Sequence, residues 1–366
     1  MKKYLVFALS ICLLSACNSG DNELIPEETD PVAITLSAKS LAIGVETKAP
    51  YMDTTPGTTA NLTARVVSSA TSLEYKSLYS NGKMIFISSE GTPTAVGYET
   101  TPSTTTYYPG SNSAIYFSGF HPYDTWTLPA SDASGDAVKK ASFTFTGKED
   151  VMYAWQVSNT KDAALGGTVP NLEFNHLLTL LNVSVKADTD GKAAWGNITG
   201  IDLIKAGGAA VEPLNTVTVT MATKPAEGTP IPAVVPSKSG STTVVIPFYH
   251  TGTDVAVSEV ETGGDGDKVI TLGTNFPDSP NAYAMVAPIT ATGTADFTLK
   301  IYSSTYTGGR EVKINLRQKD APSTEFTGST QGKSFEIALT FQATGITATA
   351  TVAEWVASGG AAVDVE

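Results

Sequence analysis

Apolar and polar positions alternate with a period of two along most of this 366-residue chain. Val32, Ile34 and Leu36 share one face, with Ala33, Thr35 and Ser37 on the other, and Leu41, Ile43 and Val45 continue the row. Successive side chains of a strand point to opposite faces, so this period predicts a half-buried β-strand. Pro50 interrupts pairing after it, and residues 54–63 form a piece rich in Thr, Pro and Gly. Further strands are expected over residues 84–87, 115–120, 141–146, 217–221, 242–248, 269–272, 297–302, 312–316 and 335–341. Leu181, Val183 and Val185 share a face that ends at Asp190-Gly191, which reads as a hairpin turn, and Gly308-Gly309 reads as a second one. No stretch carries a helical period beyond one or two turns. Short strands separated by Gly and Pro signals predict β-sandwiches. The length is enough for two domains, with the boundary expected near Asp190.

The far end keeps the same period. Ile346, Ala348, Ala350 and Val352 form one row, with Thr347, Thr349 and Thr351 opposite; Trp355 and Gly359-Gly360 follow, and then Val363 and Val365 alternate with Asp364 and Glu366. A strand with so clean an apolar row pairs inside its own sheet or is lent to another chain.

The near end has a different character. Lys2 and Lys3 precede an apolar run from Tyr4 to Leu14, and the run closes as Leu13-Leu14-Ser15-Ala16-Cys17. A basic start, a short apolar stretch and a small-residue cleavage point make a secretory signal. The stretch is too short for a transmembrane helix. A small residue before Cys17 resembles a bacterial lipobox, in which the Cys thiol is acylated and becomes the new N-terminus. Residues 1–16 are then a lipoprotein signal peptide. Residues 17–31 form a tether carrying Asp21, Glu23, Glu27, Glu28 and Asp30 with no basic residue.

Composition narrows the chemistry. The chain is 41% hydrophobic and only 16% charged, so it can bury large cores, and its net charge of −13 becomes −15 once Lys2 and Lys3 leave. Such a surface repels phosphate backbones, which argues against nucleic-acid partners. It also argues against docking on anionic lipid, so membrane attachment must come from the acyl chains on Cys17. Cys12 lies in the signal and Cys17 is committed to lipid, which leaves no disulfide and no thiolate metal site.

No catalytic constellation emerges. His121, His176 and His250 are far apart and lack metal-ligand spacing. Gly332-Lys333-Ser334 lacks the first glycine of a phosphate loop, because position 327 is Thr327, and the alternation after it is that of a strand. No G-x-S-x-G elbow occurs. Glu149 and Asp150 are adjacent and read as a solvated turn, as do Asp265-Gly266-Asp267. Trp126, Trp155, Trp195 and Trp355 read as core or interface residues rather than sugar platforms. The expectation is a protein without enzymatic activity, metal or cofactor.

Several tracts taken together resemble the fimbrillin family, the type V pilus subunits of Bacteroidetes, and the middle ones are nearest its Mfa-like branch. They are the lipobox at Cys17, Tyr108-Pro109-Gly110-Ser111, Tyr116-Phe117-Ser118-Gly119-Phe120-His121-Pro122, Gly147-Lys148-Glu149-Asp150-Val151-Met152-Tyr153-Ala154, Leu172-Glu173-Phe174-Asn175-His176-Leu177-Leu178, Gly332-Lys333-Ser334-Phe335-Glu336-Ile337 and Thr351-Val352-Ala353-Glu354-Trp355. The resemblance implies an all-β chain of two tandem transthyretin-like β-sandwich domains, here residues 32–190 and 191–366, behind the signal and the tether. It implies a surface-exposed lipoprotein of the outer membrane, which a protease of trypsin-like preference cuts behind the first strand. Loss of that strand opens a groove, and another subunit's C-terminal strand fills it by donor-strand exchange.

On this chain the removable strand carries Val32, Ile34, Leu36, Leu41, Ile43 and Val45. The expected cut is Lys48–Ala49, with Arg65 as second choice. The donor is expected within residues 346–366, on Ile346, Ala348, Ala350, Val352, Trp355, Val363 and Val365. The implied partners are other pilus subunits in a fimbrium and a host or bacterial surface ligand, with the lipid anchor in the outer membrane before processing. The alternative is a surface glycan-binding lipoprotein, which needs convergent aromatics on one exposed face.

Overall fold

Where one face of a strand meets a core and the other meets solvent, the two-residue period has become a strand. The computed structural model describes residues 30–40, 61–75, 78–88, 93–99, 105–123, 126–207, 211–223, 234–251, 255–257, 269–291, 296–317, 326 and 328–354. The chain divides into two units, residues 1–31 and 32–366, and every element below lies in the second.

The first strands are β1 (Ser37–Ser40), β2 (Asn61–Ser69), β3 (Leu78–Ser88), β4 (Pro93–Glu99), β5 (Ile115–His121), β6 (Lys140–Thr144), β7 (Met152–Asn159) and β8 (Asn171–His176). All except β6 form a closed barrel in the order β1-β4-β3-β2-β5-β7-β8. Its interior is a separate core containing Ile34, Leu36, Met84, Phe86, Phe117, Met152, Leu172 and Phe174. Gly119 stands where Phe174 crosses the barrel: a Cβ there would lie 2.5 Å from the Phe174 ring, so the interior admits only hydrogen at that position.

The second group begins at β9 (Thr179–Ala187), followed by β10 (Ile198–Ala206), β11 (Thr216–Thr220), β12 (Val234–Ser237), β13 (Ile246–Pro247), β14 (Tyr249–His250) and β15 (Ala282–Val286). It continues with β16 (Thr290–Ala291), β17 (Asp296–Ser303), β18 (Arg310–Arg317), β19 (Gly328–Ser329), β20 (Lys333–Gln342) and β21 (Gly345–Glu354). Nine of these form one sheet in the order β13-β10-β17-β18-β21-β20-β9-β15-β14. Its two edge strands, β13 and β14, are separated in sequence by Phe248 alone, so the sheet curls back on itself. Phe248, fully buried, donates its N–H to the Ile201 carbonyl at 2.8 Å and fastens that closure. The strand β6 leaves the barrel region to pair with β11, which also pairs with β12. A second, larger core runs from Phe120, Trp126 and Phe143 through to Phe335, Ile337 and Leu339 of β20.

The fold is all-β, with sandwich- and barrel-like sheets, as the alternation predicts. Several local expectations are corrected. The strand expected over 242–248 is reduced to β13, Ile246–Pro247. Over 269–272 only Ile270 pairs, in an isolated bridge to Ile198. Strand β2 begins inside the piece read as turn-rich. Strands β7 and β15 carry no clean alternation because they are buried on both faces; all five residues of β15 are buried.

Asp190-Gly191 is not a hairpin turn but part of a short helix, α2 (Thr189–Trp195), the second of two after α1 (Lys161–Leu165). Asp188 is the N-cap of α2 and accepts from the Gly191 N–H at 2.6 Å. A Cβ on Gly191 would lie 2.2 Å from the Phe341 carbonyl oxygen. Backbone cannot yield as a flexible side chain does. Gly191→Ala is therefore expected to lower the unfolding free energy by about 1–3 kcal/mol, read from the urea midpoint at unchanged m-value.

Candidate functional site

The barrel closes on a short strand near the start of the described residues. Ile34, Leu36 and Ala38 are buried in the barrel core, and half-buried Val32 packs against it. Alternation puts them there: every second side chain from 32 to 38 turns inward. The Ile34 N–H donates to Thr106 and the Tyr108 N–H to Val32, at 2.8 and 2.9 Å. The segment then crosses to the other side of the seam. Residues 37–40 run parallel to β8, with Ser37 opposite Asn171 and Ser40 opposite Phe174. On its other flank β1 meets β4 at one residue pair, Ser37 and Thr94. Burying Ile34 and Leu36 contributes about 1.5–3 kcal/mol each. Leu41, Ile43 and Val45, the remaining expected members of this strand, lie outside the described residues, as do Cys17, Lys48 and Ala49.

Arg65 is not presented for cleavage. It sits mid-strand in β2, with Lys83 of β3 opposite on one flank and Phe120 of β5 on the other. Its Nε donates to Asn81 Oδ1 at 2.9 Å and an Nη to the Trp126 carbonyl at 3.0 Å. A protease needs an extended segment with free backbone, and both flanks of β2 are already paired.

The row Ile346, Ala348, Ala350 and Val352 lies in β21, which forms a hairpin with β20 paired from Gln342–Gly345 to Lys333–Glu354. Ala350 is fully buried, and the other three pack against the larger core from half-buried positions. Trp355, Val363 and Val365 lie outside the described residues.

One buried polar cluster was not legible in the sequence. Asp150, expected in a solvated turn, is buried, and its Oδ1 lies 2.9 Å from Nδ1 of buried His176, 26 residues away. The adjacent Glu149 instead caps its own loop, accepting from the Thr146 N–H at 2.7 Å. His121 approaches the same pair, with Nδ1 2.8 Å from the Thr63 carbonyl. Burial pushes the His121 imidazole below its ordinary value of 6.5, and His176 nearby adds to the effect, while Asp150 and the Thr63 contact oppose it. These groups link β2 to β5, and β8 to the loop that leads into β7. The arrangement offers no nucleophile and no oxyanion donors, and among the described residues no group of three His, Cys, Asp or Glu side chains is placed to hold a metal. Trp126, Trp155 and Trp195 are core residues.

A family model described as fimbrillin-like matches residues 47–355. The chain belongs to the fimbrillin-like family. No curated protein matches it. Among solved structures, this fimbrillin-like chain is similar to a candidate cell adhesion protein from Bacteroides uniformis ATCC 8492, at 17% identity, covering 88% of this chain and 99% of that one, with a TM-score of 0.47. It is similar to a candidate cell adhesion protein from Bacteroides ovatus ATCC 8483, at 12% identity over 90% and 99% of the two chains, with a TM-score of 0.49. It is also similar to a fimbrial protein from Bacteroides vulgatus ATCC 8482, at 15% identity over 88% and 99%, with a TM-score of 0.39.

Two measurements check the geometry. Leu36→Ala is expected to cost about 2–5 kcal/mol in urea unfolding, because it leaves a hole in the barrel core. The second concerns pH. His121 stays neutral in the fold while the unfolded chain takes a proton near pH 6.5, so acidification below that value weakens the fold until the native imidazole also titrates. The slope reaches at most about 1.4 kcal/mol per pH unit. The melting temperature should fall through this window more steeply in the native chain than in His121→Gln.

Proposed function

We propose that this fimbrillin-like chain is a structural subunit of an adhesive type V pilus, exported as a lipoprotein and assembled by protease-triggered donor-strand exchange. In this reading residues 1–16 direct export, acylated Cys17 holds the precursor on the outer membrane, and residues 17–31 tether it. Residues 32–190 and 191–366 act as its two domains; the sheets change over at Leu177-Leu178.

The observation that carries the reading is the position of β1. It is the closing strand of a barrel, and it buries Ala38 while the residues just before it bury Ile34 and Leu36. Lys48 is the only basic residue in the sequence between Ser40 and Asn61. A cut after Lys48 falls between β1 and β2 in the sequence and severs no strand among the described residues. Departure of residues 32–48 would leave β8 with an unpaired edge and would empty the places of Ile34, Leu36 and Ala38. An alternating segment from another subunit, drawn from residues 346–366, answers both needs with backbone hydrogen bonds and apolar side chains. Burying several hundred Å² of apolar surface in this way contributes on the order of 10 kcal/mol before ordering costs. Residues 346–354 would have to leave their ladder with β20 to serve; residues 355–366 follow that ladder.

The test is electron microscopy of purified protein after limited trypsin treatment. Fibres whose subunits begin at Ala49 support the proposal, and Lys48→Gln should abolish them while leaving the circular dichroism of the precursor unchanged. Persistent monomers after complete cleavage at Lys48 would overturn it, as would normal fibres from the Lys48→Gln chain. Val363→Asp should block fibre growth in cleaved protein without changing its melting temperature.

A further inference from the structure

The curled nine-stranded sheet has a weak seam between two of its long strands. β18 and β21 run parallel but meet at only two pairs, Leu316 with Ala350 and Arg317 with Thr351. Towards their N-terminal ends the strands part, and a cleft of about 450 Å³ opens between residues 310–313 of one and 345–348 of the other. Along this stretch neither facing edge has a ladder partner among the described residues. Unpaired strand edges are the template for strand addition.

The cleft also holds an uncompensated charge. Arg310 is exposed, and its guanidinium lies over the Tyr306 ring, 4.7 Å from the centroid. It has no acidic partner among the described residues. The other charges here are engaged: Glu311 binds Lys205 at 3.2 Å and Lys313 binds Asp296. An unmatched cation stands out on a chain of net charge −13. Two residues along the same face, Val312 meets Ile346 and Ala348 across the floor of the cleft.

Ring stacking does not suit this site. One face of Tyr306 is taken by Arg310 and its ring packs on Trp195 at 4.5 Å between centroids, while Trp195 is itself buried with Nε1 donating to the Gln342 carbonyl. No aromatic face is left for a sugar. What remains is two backbone edges, one guanidinium and an apolar floor two residues further on.

We propose that this cleft binds an extended peptide segment of a partner protein, in which an Asp or Glu at one position is followed two residues later by an aliphatic side chain. The backbone of the segment joins the open edges of β18 and β21. Its carboxylate pairs with Arg310, its aliphatic residue covers Val312, Ile346 and Ala348, and the seam between the strands closes around it. This site lies in the curled sheet, apart from the barrel seam at β1, and its occupation does not depend on proteolysis.

The test uses the full-length chain, uncut, with two synthetic hexapeptides as probes, Thr-Glu-Thr-Val-Thr-Val and its counterpart with Lys in place of Glu. Fluorescence anisotropy is expected to show saturable binding of the acidic peptide, at least tenfold weaker binding of the lysine peptide, and a loss of at least tenfold in Arg310→Glu. Hydrogen exchange should slow at residues 310–315 and 345–349 when the acidic peptide is bound. Arg310 is exposed, so the variant should melt with the native chain; Arg310→Lys should recover part of the affinity. Equal binding of both peptides, an unaffected Arg310→Glu, or no added protection at those residues would overturn the proposal. So would protection of the same residues by a glucuronate oligosaccharide but not by the peptide, which would make the cleft an acidic-sugar site.

Discussion

Closure of the strand ladder is the constraint on which this molecule depends. In a ring of strands every backbone N–H and C=O must find a neighbour on both flanks, and one missing strand leaves two rows of polar groups without partners. Residues 37–40 complete the first ring, bound along their length to β8 and at a single pair to β4. The curled sheet answers the same demand differently. Its edge strands are consecutive in sequence, pinned together at Phe248, and its slack appears at the short contact of β18 with β21. Each ladder thus has a short contact, at Ser37 with Thr94 in the barrel and between β18 and β21 in the curled sheet.

How much of this was legible in the sequence depended on burial. Where one face of a strand is wet, as in β20 and β21, the apolar row Phe335, Ile337, Leu339, Phe341 and its partner Ile346, Ala348, Ala350, Val352 were readable from alternation alone. Where both faces are buried, as in β7 and β15, the period vanishes, because each successive residue is selected for a core. Polar residues misled for a related reason. Asp150 looks like a turn residue beside Glu149, and only the fold brings in His176 to pair with it. Likewise Arg65 looks like a free basic residue, yet both its neighbours on the ladder come from other strands. The cleft beside Arg310 lies beyond such reasoning altogether, since it arises from the register between β18 and β21.

The acidic character of the chain takes on structural sense in this frame. Some of its cations are matched in place, Lys205 with Glu311, Lys238 with Glu212 and Lys313 with Asp296. Two histidines are used internally: His176 is held on Asp150, and burial lowers the proton affinity of His121. The fimbrillin-like fold as described rests on packing and backbone pairing.

The parallel pairing of β1 with β8 also governs the order in which the chain acquires its shape. The partners are 134 residues apart, so the β1–β8 ladder cannot form until nearly half the polypeptide is available. Contacts so distant in sequence form late, after local hairpins such as β2–β3. The leading ribbon is thus the last stave fitted to its barrel, and the same geometry that delays its arrival leaves it at the rim of the folding sequence rather than in its nucleus.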